Sequence, residues 1–438
     1  MSVLNYYFDL ALRSLRHSKV LTVLMVLAIG LGVGASMTML TVVHVMSGDP
    51  LPGRSAQLYR PHIDPLPIDF KQSTDGPDPS NNLTWPDAMA LLHAKRAEKQ
   101  AAMAGGELLV RPDQSSIGPF YVSGRYCTSD LFSMFGLTLL QGQAWSPADD
   151  DARSRVVILS ETLNRMLFGT EPSIGQTVNL AGHDFRVVGV TAHWNPRPMF
   201  YVDSDAKIYG DTDLFFLPLT TAVDLNLTIN GNFANWGSDA SHTKTDANTS
   251  WLQFWVQLNG DKQTTAYKEF LNDYSAQQRA LGRFTRPPSN AKLYSMMEWL
   301  AHMHLVPSEV RLQLLLAFGF LIVCITNIIA LLLAKFLRRS GEMSIRRALG
   351  AKRRDIFLQL GIESAVIGLA GGMLGLGIAQ IGLWGVRHRP DDYAKLAQMD
   401  TSMLLYTLGL AVLASMLAGL LPAWRACNIQ PALQLKIQ

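Results

Sequence analysis

The stretch LQLLLAFGFLIVCITNIIALLLA, residues 312–334, decides the fold of this chain. Its 23 residues contain no Asp, Glu, Lys or Arg, and Arg311 and Lys335 flank it. A helix needs about 20 consecutive apolar residues to cross a hydrocarbon core about 30 Å thick. Buried helices of soluble proteins typically run about 8 to 20 residues. The stretch therefore predicts a membrane-spanning helix.

Three more stretches lack charged residues in the same way. Residues 20–43 run for 24 residues, and residues 364–386 and 401–423 run for 23 each. Together the four stretches predict a multi-pass α-helical membrane protein. The predicted transmembrane helices lie at 20–47, 309–334, 364–386 and 401–424.

Residues 1–19 are predicted to form a cytoplasmic amphipathic helix in the membrane interface, because apolar and basic side chains lie at helical spacing there. The alternative is that they are only the start of the first span. Arg13, Arg16 and Lys19 also resemble the basic region of a signal peptide. The apolar run that follows is too long for one and later spans exist, so we expect a retained anchor.

Composition and charge exclude several classes of protein. Charged residues make up 17% of the 438 residues and hydrophobic residues 48%, which excludes a disordered chain. The net charge of +3 is too small for the strongly basic surface of a typical nucleic-acid-binding protein, which disfavours that class. Cys127, Cys324 and Cys427 are predicted to lie in different compartments, so we expect no disulfide.

The basic residues near the spans predict the orientation. Residues 335–363 hold eight Lys or Arg against three Asp or Glu, and the tail 425–438 holds two basic residues and no acidic one. The positive-inside rule places both termini and the 335–363 loop in the cytoplasm. The 48–308 segment, with a net charge of −6, and the short 387–400 loop are then expected on the other side.

The 48–308 segment is long enough for one or two domains with their own cores. Periodicity and turn residues predict alternating short strands and helices. The predicted helices are 85–99, 129–134, 161–168 and 264–281. The predicted strands are 107–110, 120–122, 156–159, 177–180, 185–190 and 251–258. This order predicts a large, discontinuous α+β extracytoplasmic domain between the first two spans, with a second lobe inserted in it.

The motifs of catalysis and metal binding are missing. The sequence has no G-x-x-x-x-G-K-[ST] loop for nucleotide phosphates and no G-x-S-x-G elbow. It also has no C-x-x-C or H-E-x-x-H pattern for zinc. Residues 149–151 are predicted to be a solvated acidic loop, and His302 and His304 polar residues near the membrane surface. We expect a non-catalytic chain that binds no cofactor or metal of its own.

The spans have no charge at their centres, which disfavours an ion-coupled carrier. They carry small residues at helical spacing, which allow helices to pack closely in lipid. This helix-packing seam consists of Gly30, Gly34, Gly368, Gly371, Gly372 and Gly375. Packing within one chain and packing between two copies both remain open.

The segment GEMSIRRALGAKRRDI, residues 341–356, follows the second span. It predicts a short helix that ends at Gly350, and a second helix that begins near Lys352 and continues into the third span. Such a rigid element at the membrane surface could pass motion from a cytoplasmic partner into the membrane. The alternative is a basic loop that only sets topology.

This segment resembles the cytoplasmic loop of FtsX-like ABC permeases of the macrolide-exporter (MacB) type, whose pattern is close to E-I-x-x-R-x-x-G-A-x-x-x-D-I. The resemblance implies that the matching residues couple the chain to an ATPase. They are Glu342, Ile345, Arg346, Arg347, Ala348, Leu349, Gly350, Ala351, Arg353, Arg354 and Asp355. Glu363, the glycine-rich run 368–377 and the tail motif PAWRA at 422–426 fit the family as well, as do motifs within 122–190.

The resemblance implies a MacB-like periplasmic core domain, with a porter-like lobe at 56–110 and 250–300 and a Sabre-like insertion at 111–249. Residues 199–248 match nothing in the family pattern. The 335–363 loop would couple to the ATPase, 387–400 would be a short periplasmic loop, and 425–438 a cytoplasmic tail.

The resemblance also implies a function. The chain would be the permease subunit of an ABC transporter in a bacterial inner membrane, and ATP and Mg²⁺ would bind a separate ABC ATPase subunit. ATP hydrolysis would move the periplasmic domain, which is called mechanotransmission, for efflux of an antibiotic, a peptide or another periplasmic substrate. Implied partners are a second permease chain, identical or paralogous, a periplasmic adaptor and an outer-membrane channel. An FtsX-like regulator of a cell-wall hydrolase and a lipoprotein-releasing permease remain alternatives, and the latter needs a cavity for acyl chains.

Overall fold

A computed structural model gives the fold of the chain. It describes residues 13, 18–70, 79–112, 118–169, 171–202, 208–237, 243–287, 291–339, 341, 345, 350, 352–389 and 392–428. The chain divides into two compact units. One, the membrane unit, comprises Met1–Ser47 and Val306–Gln438, and the other, the extramembrane domain, is Gly48–Leu305. The predicted amphipathic helix at 1–19 lies almost wholly outside the described residues.

The helices and strands are numbered in chain order over the described residues. The helices are α1 (Lys19–Ser47), α2 (Trp85–Ala94), α3 (Asp130–Phe135), α4 (Pro147–Asp151), α5 (Glu161–Phe168), α6 (Leu219–Asp224), α7 (Gly260–Ala280), α8 (Met296–His302), α9 (Ser308–Arg338), α10 (Arg353–Arg387) and α11 (Thr401–Asn428). The strands are β1 (Leu58–Ile63), β2 (Leu83–Thr84), β3 (Lys99–Arg111), β4 (Phe120–Cys127), β5 (Leu139–Gly142), β6 (Val156–Ser160), β7 (Thr177–Leu180), β8 (His183–Thr191), β9 (Phe215–Pro218), β10 (Ala234–Asn235), β11 (Thr249–Gln257) and β12 (Ala291–Ser295).

In the membrane unit, α1, α9, α10 and α11 are each long and apolar enough to cross a membrane. They contain the four charge-free stretches, which confirms the predicted fold class. The helices are longer than the stretches themselves. In particular, α10 begins at Arg353, directly after Lys352, where the sequence predicts a second helix running into the third span.

The extramembrane domain is built on a sheet in the order β12-β1-β11-β3-β4-β9-β6-β8-β5. The β4–β9 and β6–β8 pairs are parallel, and the other pairs along this path are antiparallel. The α+β fold agrees with the prediction. Because one continuous sheet carries residues of both predicted lobes, the division into a porter-like and a Sabre-like lobe stays a prediction.

Both faces of the sheet are covered. Along β3, Ala102 and Ala104 belong to one buried apolar cluster, whereas Ala101 and Met103 belong to the other. This alternation follows from the two-residue repeat of a strand, which sends successive side chains to opposite faces. The strands can therefore be apolar at successive positions, as at Val157 and Ile158 in β6.

Several local predictions differ from the structure. The helix predicted at 85–99 ends at Ala94, because Lys95 adopts the left-handed conformation (φ 47°), and β3 begins at Lys99. The strand predicted at 107–110 is the end of this longer strand. None of the helices and strands predicted from the sequence falls within residues 195–237, but the structure places β9, α6 and β10 there.

The acidic run at 149–151 is not a solvated loop, so that prediction was wrong. It forms the end of α4, which Ser146 caps in a capping box with Asp149. Asp150 is buried and accepts hydrogen bonds from the Ser129 amide at 2.8 Å and the Trp145 indole at 2.9 Å. Both donors lie outside the acidic run, so the run by itself does not indicate that Asp150 is buried.

Candidate functional site: the connection between α9 and α10

The candidate site lies where α9 ends and α10 begins. Lys335 is in the last turn of α9, immediately beyond the charge-free stretch, and Glu363 lies in α10 immediately before the next one. The two helices bring these side chains together. The Lys335 Nζ lies 2.6 Å from the Glu363 Oε1, and the side chains are 2% and 0% exposed.

Arg339, the C-terminal capping residue of α9, is the third member of the cluster. Its guanidinium Nη1 lies 3.6 Å from the second carboxylate oxygen of Glu363, and its side chain is 22% exposed. One buried carboxylate therefore faces two cations from the end of the preceding helix. We call Lys335, Arg339 and Glu363 the junction triad.

The free energy that such a buried cluster contributes depends on how well its charges are paired. Removing two charges from water costs several kcal/mol per ion, and their attraction offsets this only when the geometry is good. Removing one partner of a buried pair typically costs about 3–5 kcal/mol, because the other charge is left uncompensated. The triad therefore adds little net stability over an apolar contact of similar size, but removing a single partner from it is costly.

Part of the predicted coupling segment is described. Arg353 and Arg354 begin α10 and are exposed, and Ile345 is exposed over 60% of its surface. Gly350 has φ +101°, in the left-handed region that favours glycine. The remaining predicted residues lie outside the described residues: Glu342, Arg346, Arg347, Ala348, Leu349 and Ala351.

Asp355 has a visible local role. Its Oδ2 accepts a hydrogen bond from the Lys352 backbone N–H at 3.3 Å, which satisfies a free amide at the start of α10. A carboxylate in the first turn also interacts favourably with the helix dipole. Asp355 thus fixes the point at which the connection becomes the spanning helix.

The predicted glycine seam packs within one chain. On one face of α10, a Cβ on Gly371 would lie 2.6 Å from the Ile29 Cβ of α1, and a Cβ on Gly34 of α1 would lie 3.0 Å from the Gly375 carbonyl oxygen. A Cβ on Gly30 would lie 2.8 Å from Leu374. The close approach of α1 to α10 therefore requires glycine at these positions.

The opposite face of α10 packs against α11. A Cβ on Gly368 would lie 2.1 Å from the Ser415 hydroxyl oxygen, and one on Gly372 would lie 2.9 Å from the Ala411 Cβ. Both glycine faces of α10 are thus occupied by helices of the same chain. The helix that carries Glu363 is packed closely on two sides along its centre.

The extramembrane domain has its own buried ion pair. Asp87 in α2 accepts hydrogen bonds from the Tyr274 hydroxyl at 2.7 Å and from the Arg283 guanidinium at 2.9 and 3.2 Å. Burial, followed by the charge of Asp87, raises the pKa of Tyr274, so the phenol stays protonated. This cluster links α2 to α7 and to the segment after it.

The described residues offer little reactive chemistry. Among them, no group of three or more His, Cys, Asp or Glu side chains is arranged to hold a metal ion. Burial raises the pKa of the Cys127 thiol well above its usual value, which makes it a poor nucleophile. The geometry supports a mechanical site at the junction triad more than a chemical one.

Two family models match the chain. The model of the MacB-like periplasmic core domain matches residues 22–274, which is more than half of the chain. The model of the FtsX-like permease C-terminal region matches residues 314–431, which include the junction triad. The chain belongs to the MacB-like, FtsX-like ABC transporter permeases. This is the family that the coupling segment resembles.

Curated relatives agree with the family. The chain is 26% identical over 364 residues to the macrolide export ATP-binding/permease protein MacB of Mannheimia succiniciproducens, covering 80% of this chain and 48% of that protein. It is 24% identical to the protein of the same name from Pasteurella multocida, over 71% of this chain and 42% of the other. The permease chain thus spans about half the length of the curated relatives it matches.

Two solved structures are similar to part of the permease but share little sequence identity with it. The periplasmic region of MacB from Actinobacillus actinomycetemcomitans aligns with a TM-score of 0.38 and 14% identity, over 58% of this chain and 95% of that one. The extracellular domain of the transporter YknZ from Gram-positive bacteria aligns with a TM-score of 0.33 and 16% identity, over 50% of this chain and 95% of that one.

Proposed function

We propose that this permease couples ATP hydrolysis by a separate cytoplasmic ABC ATPase to movement of its extramembrane domain. The observation that carries the proposal is the Lys335–Glu363 ion pair, which closes the connection between α9 and α10 at its base. A force applied to the connection would then act on both helices together. In a flexible loop the same force would be lost in local motion.

The surface of the connection suits a partner protein. Ile345 exposes a large apolar side chain, and Arg353 and Arg354, eight and nine residues further along the chain, expose cations. Apolar anchors surrounded by charged groups are typical of interfaces, where the anchor contributes most of the affinity. Burial of Ile345 against an ATPase would also remove its apolar side chain from water, which favours binding.

The motion would pass through α10. This helix begins at the connection, contains Glu363, and packs tightly through glycines against α1 and α11. Because close-packed helices move as units, a shift of α10 would be transmitted to α1. Since α1 and α9 precede and follow the extramembrane domain in the chain, both of its ends would receive the motion.

The proposal includes compartment and partners. The permease would lie in a bacterial inner membrane, with the α9–α10 connection and both termini in the cytoplasm and residues 48–305 outside. It would dimerise with an identical or paralogous permease and use a periplasmic adaptor and an outer-membrane channel. It would bind no cofactor, while ATP and Mg²⁺ would bind the ATPase. The substrate class would be an antibiotic, a peptide or another periplasmic compound.

The test is the ATP hydrolysis of the complex purified from its native membrane by a tag on this chain. We expect a nucleotide-hydrolysing subunit to copurify and the Arg346→Glu plus Leu349→Asp variant to abolish its coupling to the permease. A complex without such a subunit, or unchanged coupling in the variant, would contradict the proposal. Arg165→Glu, on the exposed surface of the extramembrane domain, is the control for an altered charge alone.

One observation favours a second candidate, the release of lipoproteins. An apolar groove of about 180 Å³ lies between α10 and α11, lined by Phe357, Leu358, Ile362, Met416 and Leu420 among others. An acyl chain could lie in such a groove. Stimulation of ATP hydrolysis by a triacylated lipopeptide, but not by its unacylated peptide or by a macrolide, would favour this candidate over efflux.

A further inference from the structure

One edge of the sheet in the extramembrane domain is open. In the part of the chain that the structure describes, β12 pairs with β1 along one side and with no strand along the other. The free edge of a strand presents backbone N–H and C=O groups that can pair with another extended chain. With five residues, β12 offers a pairing length of about 17 Å.

A groove runs along this edge, between β12 and α7. Its volume is about 400 Å³. Leu271 and Leu293, which are 1% and 8% exposed, form its apolar floor. A groove between an edge strand and a helix, with an apolar floor, is the arrangement in which domains that bind peptides by strand addition hold their ligands.

The rim of the groove carries a net positive charge. Lys268 of α7 and Lys292 of β12 are exposed on it, against one carboxylate, that of Glu298. The Glu298 Oε2 already accepts hydrogen bonds from the Ser295 amide and hydroxyl at 2.8 and 2.9 Å. The segment 48–308 has a net charge of −6, so a basic rim runs against the average of the domain.

We propose that this groove binds an acidic, extended segment of a partner protein, which adds a strand to β12. The free backbone edge selects an extended chain because only alternating N–H and C=O groups can pair with it. The apolar floor takes every second side chain of the segment. Lys268 and Lys292 select carboxylates at the positions between. The inference stands independently of the ATP-coupled function.

In the chain, β12 lies close to the spanning helix α9. A single short helix, α8, separates β12 from the spanning helix α9. The capping box of Ser295 and Glu298 joins the end of β12 directly to the start of α8. A partner on β12 would therefore bind the element that leads into the membrane.

Fluorescence polarisation with the full-length permease in detergent micelles tests the proposal. The probe is a labelled hexapeptide of alternating Glu and Val, and its counterpart with Lys in place of Glu is the control peptide. We expect the acidic probe to bind and the basic one not to. The Lys268→Glu plus Lys292→Glu variant should weaken binding about tenfold or more. The Lys95→Glu plus Lys262→Glu variant, with the same change of charge away from the groove, should bind as the native protein does.

A second measurement separates strand addition from simple charge attraction. Two versions of the acidic probe are N-methylated, one at the Glu residues and one at the Val residues. Because an edge strand pairs with alternate amides only, one methylated probe should lose binding and the other keep it. No binding of the acidic probe, equal effects of the two methylations, or equal binding by the two charge variants would overturn the proposal.

Discussion

The ammonium nitrogen of Lys335 lies 2.6 Å from the carboxylate of Glu363, with both side chains excluded from the surface of the chain. These residues are the first charged ones beyond two charge-free stretches, and they have opposite signs. Their pairing joins the last turn of α9 to Glu363, ten residues beyond the start of α10 at Arg353. In the proposed mechanism, this contact is the point where force from the ATPase enters the membrane helices.

Single substitutions at this pair should be costly. Lys335→Met or Glu363→Gln leaves one buried charge without its main partner, so we expect each to lower the free energy of unfolding by about 3 kcal/mol or more. Thermal unfolding of the permease in detergent measures the loss. The double substitution should recover most of it, because it leaves neither member of the pair as an uncompensated buried charge.

The exchanged pair Lys335→Glu plus Glu363→Lys separates charge from position. It restores the attraction but places Arg339 beside a lysine, so we expect partial recovery of stability and poor ATPase coupling. Exchange with full recovery of coupling would show that the orientation of the triad is unimportant.

The glycine seam predicts a sharp contrast between two alanine substitutions. Gly34→Ala places a methyl group 2.8 Å from Ile378 and 3.0 Å from the Gly375 carbonyl, which should cost about 1–3 kcal/mol by overpacking. Gly385→Ala, also in a spanning helix, meets no atom within 4 Å. It should be neutral or stabilising, as expected for alanine in a helix. Equal effects on thermal unfolding would contradict the packing described here.

Asp87, Tyr274 and Arg283 form a hydrogen-bonded cluster, and substitutions in it should differ in how much they destabilise the extramembrane domain. Asp87→Asn removes the charge that faces Arg283 and should lower stability by about 3 kcal/mol. Tyr274→Phe removes one hydrogen bond to the carboxylate and should cost about 1 kcal/mol. Hydrogen exchange of the amides in α2 and α7 would locate the loss. A larger effect of Tyr274→Phe than of Asp87→Asn would contradict the assigned roles.

Because of Asp149, the free energy of unfolding should depend on pH in the acidic range. The Ser146 backbone N–H, followed by the Ser146 and Ser154 hydroxyls, lowers the pKa of Asp149 below its ordinary value of 3.8. A carboxylate with a depressed pKa stabilises the fold above the pKa of the unfolded chain, and that contribution is lost as the pH falls through the folded value. Asp149→Asn should therefore destabilise at pH 6, and this effect should shrink as the pH falls below 3.8.

Thermal unfolding between pH 6 and pH 3 measures this dependence. Asp151→Asn, which alters an exposed neighbour on the same short helix, is the control. The native protein and the control should lose stability in parallel below about pH 4. An Asp149→Asn curve parallel to theirs would contradict the role of the capping box.

The sequence predicts some features of the permease well because they depend on local composition. A charge-free run such as 312–334 has one stable environment, so the spanning helices follow directly from it. The start of α10 after Lys352 likewise follows from a glycine and an acidic residue in the first helical turn.

Other features depend on contacts between distant residues. The charges of Lys335 and Glu363 are visible in the sequence, but their pairing depends on how α9 and α10 each pack against α1 and α11. Asp150 is buried because Ser129 and Trp145 supply donors, which a run of three aspartates does not reveal. The continuity of the sheet across both predicted lobes also requires long-range pairing, such as that of β4 with β9.

The most direct test is hydrogen–deuterium exchange of the purified ATPase–permease complex in nanodiscs, with and without ATP and vanadate. In the native complex we predict that nucleotide changes the exchange of residues 48–305, and that Glu363→Gln abolishes this change while the ATPase remains bound. An identical nucleotide-dependent change in the Glu363→Gln complex, or no change in the native complex, would contradict coupling through the junction triad.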